Sequence, residues 1–358
     1  MRKSISVIVP VFNAKGTIGD TLESIKGEIS KSHEISWEVI AIDDGSTDGS
    51  VEVLEAWKTQ LPLKTFALDH SGSPASPRNF GIQQATSEFV FFLDSDDVLM
   101  RGGLIATVEF AIKNGSDVVL PRLVSLDGRG VPRGMYSKNQ SDVNLENSRI
   151  YWALNPMKLI RRSLLIENDI KFDTSLSRDE DQPFAFKAYL AAKRISILAD
   201  PPVVGVRYSP SGANLTLRNY SKEELFKYLS VMTQIMDEGV ESISTKQFLL
   251  IRNWEIEISR EFIWKRLALM PKESWATSFE DLHEFSKAKL LPDMLPRTSI
   301  RWRGIVGLIG SANYPELEKL VRGRKLVLEN RSWISKMRGV LMSNWIRFKS
   351  TIFLPRSF

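Results

Sequence analysis

Residues 88–97 read Glu-Phe-Val-Phe-Phe-Leu-Asp-Ser-Asp-Asp, an apolar run that ends abruptly in three carboxylates. A strand that is hydrophobic on both faces is typical of the middle of a sheet that helices cover. Acidic side chains at the carboxyl end of such a strand lie where open α/β sheets bind their ligands. The stretch therefore predicts a central strand that leads into a binding site.

The carboxylates of Asp94, Asp96 and Asp97 would repel one another unless a cation or a basic group neutralised them. Two carboxylates at Asp-x-Asp spacing can place their oxygens on a divalent metal that also holds a diphosphate. The plainer alternative is an acidic helix start, in which Asp97 caps a helix that begins near Leu99.

Strand and helix patterns alternate on both sides of this stretch, up to about residue 120. Apolar and β-branched runs predict strands at 4–9, 37–42, 63–68, 89–93 and 117–120. Amphipathic spacing predicts helices between them. This alternation predicts an α/β fold, a mostly parallel Rossmann-like sheet flanked by helices.

The pattern changes after residue 208. Residues 209–219 are rich in Ser, Gly and Asn and predict a loop, and from Ser221 onward only helical periodicity remains. We therefore expect two domains, an α/β domain at 1–217 that carries the predicted binding site and an all-α C-terminal region at 218–358.

The composition narrows the class of protein. The 358 residues are 43% apolar and 25% charged, which is typical of a soluble protein with a substantial core. The chain has no cysteine, so disulfides, zinc–thiolate sites and cysteine nucleophiles are excluded. Neither a signal peptide nor a run of roughly 18 to 20 apolar residues is visible. We expect a cytoplasmic protein, and the inner face of the plasma membrane is a second location to consider.

The C-terminal region is basic from about residue 297. Residues 297–358 contain 13 Lys and Arg against 3 Asp and Glu, whereas the whole chain has a net charge of +5. With interleaved tryptophan and phenylalanine, such a segment can bind an anionic polymer or make peripheral contact with a membrane. The sequence leaves open two alternatives, a helical bundle with a basic solvated face and a contact with a second copy of the chain. Nucleic acid is not expected as a partner.

Three predicted strands end in polar sequence, at Pro10–Asn13, Asp43–Asp48 and Asp94–Asp97. Because the carboxyl ends of parallel strands meet at one edge of a sheet, these groups should converge. Turn formation and helix capping account for Ser46 and Thr47. They do not account for two carboxylates directly after an apolar strand, where one could accept a hydrogen bond from a nucleobase imide N–H.

The ordered set of motifs resembles the family 2 glycosyltransferases, which have the nucleotide-sugar-binding GT-A fold. The matching segments are Val7–Asn13, Val39–Asp48, Pro77–Gly81, Phe91–Asp97 and Glu180–Gln182. Within this family the chain most resembles bacterial wall teichoic acid N-acetylglucosaminyltransferases, at Ser71–Gly81, Met157–Ser163 and Arg178–Gln182. The resemblance implies transfer of GlcNAc or a related hexose from a UDP-sugar to a cell-surface polymer or glycan such as teichoic acid.

The resemblance also implies roles for individual residues at the nucleoside end. Pro10 and Phe12 would line the nucleoside pocket, and Asp44 would accept from the uracil imide. Asn13 and Ser71 are further nucleotide-sugar contacts that the resemblance implies.

The diphosphate end follows in the same way. Arg78 would approach the diphosphate or Asp94, since a planar guanidinium can pair with phosphate through two donors. Asp94 would hold the ribose or the sugar, next to Ser95, and Asp96 would bind Mn²⁺ or Mg²⁺ with help from Asp94. The metal would neutralise charge on the leaving diphosphate.

Asp181 is the implied catalytic base. It lies at the predicted start of an apolar helix, where the helix dipole is expected to lower its pKa and keep the carboxylate ionised. An acceptor hydroxyl deprotonated there could attack the anomeric carbon opposite the diphosphate and invert the configuration. Glu180, Gln182 and Arg178 would support the acceptor or the metal. Simple helix capping by Asp179 or Asp181 is the alternative.

The chain departs from the family pattern at two places. Many relatives carry a histidine in the loop after the last strand, whereas 211–218 contain none, and Asn214 or Arg218 could substitute. The Gln-x-x-Arg-Trp signature of processive synthases is missing, which favours transfer of a single sugar. His70 lies beside the predicted site, and we interpret it as a loop residue without a role.

Two other classes of function remain to be considered. A non-catalytic nucleotide-sugar-binding protein with a C-terminal assembly module would share the donor motifs but not the role of Asp181. A nucleotidyltransferase would be expected to carry a Gly-rich basic loop after the first strand, and Pro10–Gly16 does not have that character.

Overall fold

The computed structural model describes residues 3–128, 130–132, 134–207, 222–240, 270–289, 307–309 and 311–329, with the single residues 245, 249 and 267. The chain divides into two compact units, Met1–Leu217 and Arg218–Phe358. The functions assigned above to 1–217 and 218–358 stay predictions.

The first unit begins with an alternation of strands and helices. In chain order these are β1 (Ser4–Val11), α1 (Ile18–Ile29), β2 (Ser36–Asp43), α2 (Ser50–Trp57), β3 (Leu63–Ala67), α3 (Ala75–Gln84), β4 (Phe89–Phe92), β5 (Val98–Leu99), α4 (Gly103–Asn114) and β6 (Val118–Pro121). The remaining elements are β7 (Leu123–Ser125), β8 (Gln140–Val143), a 3-10 turn (Ile150–Trp152), β9 (Leu159–Arg161), α5 (Arg162–Glu167), α6 (Asp181–Ala191), β10 (Ile195–Leu198) and β11 (Val204–Val206).

In this described part of the chain, the strands form an eight-stranded sheet and a three-stranded sheet. The order of the large sheet is β3-β2-β1-β4-β9-β6-β10-β8, and that of the small one is β5-β11-β7. The pairs β2–β3, β1–β2 and β1–β4 are parallel, whereas β9 runs antiparallel to both β4 and β6. The carboxyl ends of β1, β2 and β4 therefore meet at one edge, which we call the carboxyl edge, and their amino ends meet at the opposite, amino edge.

The apolar patterns account for this arrangement. β4 is fully buried, as expected for a strand that is apolar on both faces. In α1, Ile18, Leu22 and Ile25 recur every three to four residues and form its buried face. α3 lies directly on the sheet at Gly81, where a β-carbon would overlap Ile8.

One of the alternatives considered for the sequence is wrong. Asp97 does not cap a helix that begins near Leu99, because Val98 and Leu99 form β5 and pair with β11. The next helix, α4, begins only at Gly103. The partner strand lies about a hundred residues later in the chain, so local capping preferences could not reveal the pairing.

The described part of the second unit is helical. It contains α7 (Lys222–Gly239), a 3-10 turn (Lys272–Ser274), α8 (Trp275–Lys289) and α9 (Tyr314–Glu329). Phe279 of α8 stacks on Tyr314 of α9 with ring centroids 6.0 Å apart. Most of the basic segment from residue 297, and the loop at 211–218, lie outside the described residues. None of the described helices combines the length and apolar character that a membrane span requires.

Candidate active site

The loops that follow β1 and β2 hold each other in place. Asn13 adopts a φ of 48° and accepts a hydrogen bond from the Thr47 backbone N–H through Oδ1, at 2.9 Å. Its own backbone N–H donates to Ser46 Oγ, also at 2.9 Å. Asparagine tolerates a positive φ better than most residues do. These contacts leave Phe12 43% exposed beside the buried Pro10.

Asp44 follows β2 directly and is buried. Ser71 donates to its Oδ1 from the backbone N–H at 3.1 Å and from the hydroxyl at 2.8 Å. The second oxygen, Oδ2, lies 3.0 Å from His70 Nδ1. The structure thus places the predicted acceptor for the nucleobase against Ser71, another residue predicted to contact the nucleotide sugar.

His70 has more contacts than the sequence indicated. Its ring is stacked on Phe12 with centroids 4.1 Å apart and an interplanar angle of 15°. It therefore touches both Phe12 and Asp44, two of the residues predicted to contact the nucleoside. The signal available in the sequence was its position between β3 and the Ser71–Gly81 motif.

Arg78 bridges the donor side of the site and the predicted base motif. Its Nη2 lies 2.7 Å from Asp94 Oδ1 and its Nη1 lies 2.7 Å from Glu180 Oε1. The side chain of Arg78 is only 5% exposed, and its guanidinium lies over the ring of Phe172, 5.3 Å from the centroid. Burial alone would lower the pKa of Arg78, but the charges of Asp94 and Glu180 raise it above its ordinary value.

The loop that carries the Asp-x-Asp motif is anchored through its backbone. Thr21 Oγ1 donates to the carbonyls of Ser95 at 3.0 Å and Asp97 at 2.8 Å. The Arg207 Nε donates to the Asp96 carbonyl at 2.7 Å, and its backbone N–H donates to Asp97 Oδ1 at 2.9 Å. Asp97 is completely buried, so it fixes the loop and does not face a ligand.

The residues predicted to bind metal fit a divalent cation. Asp94 and Asp96 offer carboxylate oxygens, which are the donors that Mg²⁺ and Mn²⁺ prefer, and both side chains are partly exposed. Within the described residues no group of three or more His, Asp or Glu is placed to hold a metal. Two protein carboxylates suffice where substrate phosphates complete the coordination.

Glu180 and Asp181 are crowded carboxylates at the start of α6. Glu180 is buried, and burial raises its pKa although Arg78 opposes the shift. For Asp181, burial among protein atoms and the charges of Glu180 and Asp179 raise the pKa well above its ordinary value. The expectation that the helix dipole lowers the pKa of Asp181 is therefore wrong, because desolvation and like charges outweigh the dipole. Asp181 nevertheless remains partly exposed.

Lys158 is a residue that the sequence analysis did not single out for the site. Its side chain is almost completely buried, and Nζ donates to the carbonyl of Asn155 and lies 5.6 Å from the centroid of the Tyr189 ring. Burial lowers the pKa of Lys158 to about 7, while the charge of Asp181 acts in the opposite direction. The available signal was a lysine at the start of an apolar strand, in Met157-Lys-Leu-Ile.

The other residues predicted to support the base lie on the same turn. Gln182 Nε2 donates to Asp179 Oδ1 at 3.2 Å, and Asp179 has a φ of 55°. Arg178 is partly exposed. The site as a whole thus consists of three adjacent strand ends, with the start of α6 joined to them through Arg78.

Comparison with known proteins gives a family match for part of the chain. Residues 6–174 match the family model described as Glycosyl transferase family 2. The chain carries a family 2 glycosyltransferase domain.

Two curated relatives of this domain act on poly(ribitol-phosphate), according to their names. The chain is 34% identical over 282 residues to the poly(ribitol-phosphate) beta-N-acetylglucosaminyltransferase TarS of Staphylococcus aureus, an alignment covering 77% of this chain and 48% of TarS. It is 38% identical over 198 residues to a poly(ribitol-phosphate) beta-glucosyltransferase of Bacillus spizizenii, covering 55% of this chain and 31% of that protein. The chain spans about half the length of TarS and about a third of the length of the Bacillus protein.

Solved structures of TarS are similar to this chain as well. The crystal structure of S. aureus TarS 1-349 in complex with UDP-GlcNAc superposes with a TM-score of 0.76 and 28% identity, covering 91% of each chain. The complex of the same fragment with UDP gives a TM-score of 0.73 and 29% identity, again covering 91% of each chain. With the observed sheet, this likeness confirms the predicted GT-A type of α/β fold followed by C-terminal helices.

The family 2 match ends at residue 174, before the turn that carries the predicted base. The motifs at the ends of β1, β2 and β4 lie inside the family 2 domain, whereas Arg178–Gln182 follow it. Arg78 thus connects the matched domain to the segment beyond it.

Proposed function

We propose that this chain is an inverting glycosyltransferase that moves GlcNAc or a related hexose from a UDP-sugar to a hydroxyl of an anionic cell-surface polymer such as poly(ribitol phosphate). The observation that carries the proposal is the bridge from Asp94 through Arg78 to Glu180, next to Asp181. The bridge joins the carboxyl edge of the sheet, where the donor would bind, to the turn that carries Asp181, whose pKa is raised. The names of the relatives support the donor and the acceptor class.

The donor-binding residues orient the nucleotide sugar. Asp44 accepts the imide N–H of uracil, and Phe12 stacks on the base. Asp96 and Asp94 would hold Mn²⁺ or Mg²⁺, and the bound ion would neutralise charge on the departing diphosphate. Arg78 fixes the position of Asp94, because both of its terminal nitrogens are engaged by carboxylates.

Asp181 performs the proton transfer. The acceptor oxygen forms a bond to the anomeric carbon while the bond between that carbon and the diphosphate oxygen breaks, and the hydroxyl proton passes to Asp181. UDP leaves with the electrons of the broken bond, and the configuration inverts because the acceptor attacks from the face opposite the diphosphate. A general base is most efficient when its pKa lies near the working pH, and the raised pKa of Asp181 suits this role.

The proposal includes a role for the basic C-terminal segment, residues 297–358, in holding the anionic acceptor. Electrostatic binding of this kind weakens as salt screens exposed charge. Binding of the full chain and of a 1–296 truncation to poly(ribitol phosphate) should differ at low salt and converge at high salt. Salt-insensitive binding would refute an electrostatic role. Vesicle binding or a change of oligomeric state on truncation would assign the segment to the cytoplasmic membrane face or to a second copy instead.

A donor screen followed by a transfer assay tests the function. UDP-GlcNAc, UDP-glucose and a GDP-sugar are compared for thermal stabilisation of the protein, since ligands that bind the native state raise its stability by mass action. Transfer to poly(ribitol phosphate) is then measured with Mn²⁺, with Mg²⁺ and with chelator, and NMR gives the anomeric configuration of the product. Binding of UDP-sugars without transfer to any polymer acceptor would favour the non-catalytic alternative. A retained configuration would exclude the mechanism above.

A further inference from the structure

The side chain of His70 makes two directed contacts at the nucleoside end. Its ring lies flat on Phe12, with centroids 4.1 Å apart and planes inclined by 15°. At its edge, Nδ1 lies 3.0 Å from Asp44 Oδ2 and 2.9 Å from the Asp44 carbonyl oxygen. Because carboxylate and carbonyl oxygens only accept hydrogen bonds, Nδ1 carries the hydrogen.

These are the same two contacts that the proposed function assigns to a pyrimidine base. Uracil and imidazole are both flat rings with an N–H in the ring plane. Each can therefore stack on Phe12 while its edge donates to Asp44. The imidazole is smaller, but its face and its donor point to the same two partners.

The two rings cannot both lie against this face of Phe12. Aromatic centroids in contact are about 4.5–7 Å apart, so a third ring between Phe12 and His70 would need roughly twice the observed 4.1 Å spacing. We propose that His70 occupies the nucleobase position when no nucleotide is bound, and that the donor binds by displacing it. This inference depends on the proposed function, since it takes the ligand to be a uridine nucleotide.

The surroundings allow the exchange by rotation of one side chain. His70 is about half exposed, with a side-chain exposure of 48%. Its backbone is closely packed, because a β-carbon on Gly45 would come within 3.0 Å of the His70 backbone nitrogen. The hydrogen bonds from the Ser71 N–H and hydroxyl keep Asp44 in place after the imidazole leaves.

The exchange predicts an unusual effect of substitution. A residue that only contacts the ligand weakens binding when it is removed, whereas a competitor strengthens it. If the closed arrangement dominates by about tenfold, the measured affinity is reduced by the same factor. We expect His70→Ala to bind UDP about 5- to 10-fold more tightly than the wild type in calorimetry, with a slightly lower Tm of the free protein because the contacts of the closed arrangement are lost. His33→Ala is the matched control, since His33 is exposed on a loop after α1, and it should leave the affinity unchanged.

Two further measurements locate the effect at the base. UMP should gain as much affinity as UDP from His70→Ala, because the competition does not involve the terminal phosphate. His70→Phe keeps the stack on Phe12 but lacks the N–H, so its affinity should lie between those of the wild type and His70→Ala. By NMR, the contact between the Phe12 and His70 rings should be present in the free protein and absent at saturating UDP.

The outcomes separate this inference from the proposed function. Weaker or unchanged UDP binding by His70→Ala, or a ring contact that persists with UDP bound, overturns the exchange and leaves the glycosyltransferase proposal standing. If neither the wild type nor His70→Ala binds UDP or UMP, the uridine donor itself is wrong and both proposals fall. Tighter UDP binding by His70→Ala, with no change in His33→Ala, supports the exchange and the uridine donor.

Discussion

Arg78 and Arg161 have similar surroundings at opposite edges of the central sheet. At the carboxyl edge Arg78 lies between Asp94 and Glu180, each at 2.7 Å. At the amino edge Arg161 lies between Glu88 at 2.6 Å and Asp117 at 3.3 Å. Each guanidinium also lies over a phenylalanine ring, Phe172 or Phe89, 5.3 Å and 4.8 Å from the respective centroid.

Burial separates the two bridges. The Arg78 side chain is 5% exposed and the Arg161 side chain is 26% exposed. Charges that water cannot reach interact strongly with their neighbours, and removing one partner leaves the others uncompensated. The same ion-pair arrangement therefore joins partly exposed groups at the amino edge, whereas at the carboxyl edge it compensates carboxylates that are largely shielded from water.

Individual carboxylates show the same difference. Burial would raise the pKa of Glu38 at the amino edge, but Lys64, Ser6 and Thr86 hold it below its ordinary value. Burial, Glu180 and Asp179 raise the pKa of Asp181 at the carboxyl edge. The amino edge thus satisfies its charges, whereas the carboxyl edge retains charges that a substrate can engage.

The largest effect on activity is expected for a substitution at Asp181, at the carboxyl edge. Asp181→Asn removes the proton acceptor and should lower kcat by about 10²- to 10⁴-fold. A carboxyl whose pKa is raised by folding destabilises the native state above its unfolded pKa, so the variant should also have a higher Tm at neutral pH. Asp169→Asn is the control, since Asp169 is 79% exposed, and it should change neither property. Full activity in Asp181→Asn would mean that another group takes the proton.

The two arginines can be compared directly in denaturant. Arg78→Met leaves Asp94 and Glu180 without their shared cation and should lower the free energy of unfolding by about 3–5 kcal/mol. Arg161→Met, with the same chemistry at a more exposed bridge, should lose about 1 kcal/mol. Urea titration of both variants gives the values. Equal losses would show that burial does not distinguish the two bridges.

Glu38→Gln sharpens the comparison by giving a pH dependence opposite to that at Asp181. Because the pKa of Glu38 is lowered in the folded state, its ionised form stabilises the protein above about pH 4.5. This stabilisation is lost as the pH falls through the lowered pKa. At pH 7 the variant should be less stable by about 1.5–3 kcal/mol, from weakened bonds to a charged group. Thermal unfolding from pH 3 to pH 7 should show the two proteins converging at the acid end.

The smallest expected effect is at Lys158. Its positive charge lowers the pKa of Asp181, so Lys158→Met should raise that pKa and move the acid limb of the kcat/KM profile upward by about one pH unit. The shift should be largest below about pH 7, where Lys158 itself is charged. Lys187→Met, a partly exposed lysine on α6, is the control and should leave the profile in place. An unshifted profile in Lys158→Met would show that this lysine has no influence on the base.

The sequence could predict which edge of the sheet carries the site, because this depends only on short stretches of neighbouring residues. Apolar runs such as Phe89–Leu93 specify buried strands, and the polar residues directly after them fall at strand ends. The parallel pairing of β1 with β2 and β4 then brings Pro10, Asp44 and Asp94 to one edge. These predictions needed no knowledge of contacts between distant residues.

The electrostatics of the base and the pairing of β5 could not be predicted, because both depend on such contacts. The sequence shows Asp181 at a helix start, but it does not show how deeply protein atoms surround it. For the same reason the sequence did not reveal that the buried Lys158 interacts with Asp181. Nor did it reveal that the His70 ring stacks on Phe12, which lies on another loop.

Asn79 and Arg78 together hold both ends of the turn at 173–179. Asn79 Nδ2 donates to the Phe172 carbonyl at 2.8 Å, and the Phe172 N–H donates back to Asn79 Oδ1 at 2.8 Å. At the far end, Arg78 holds Glu180. Protein engineers can therefore vary the exposed positions 174 and 175 of this turn, for instance in a library aimed at new acceptors, while helix α3 keeps both attachment points.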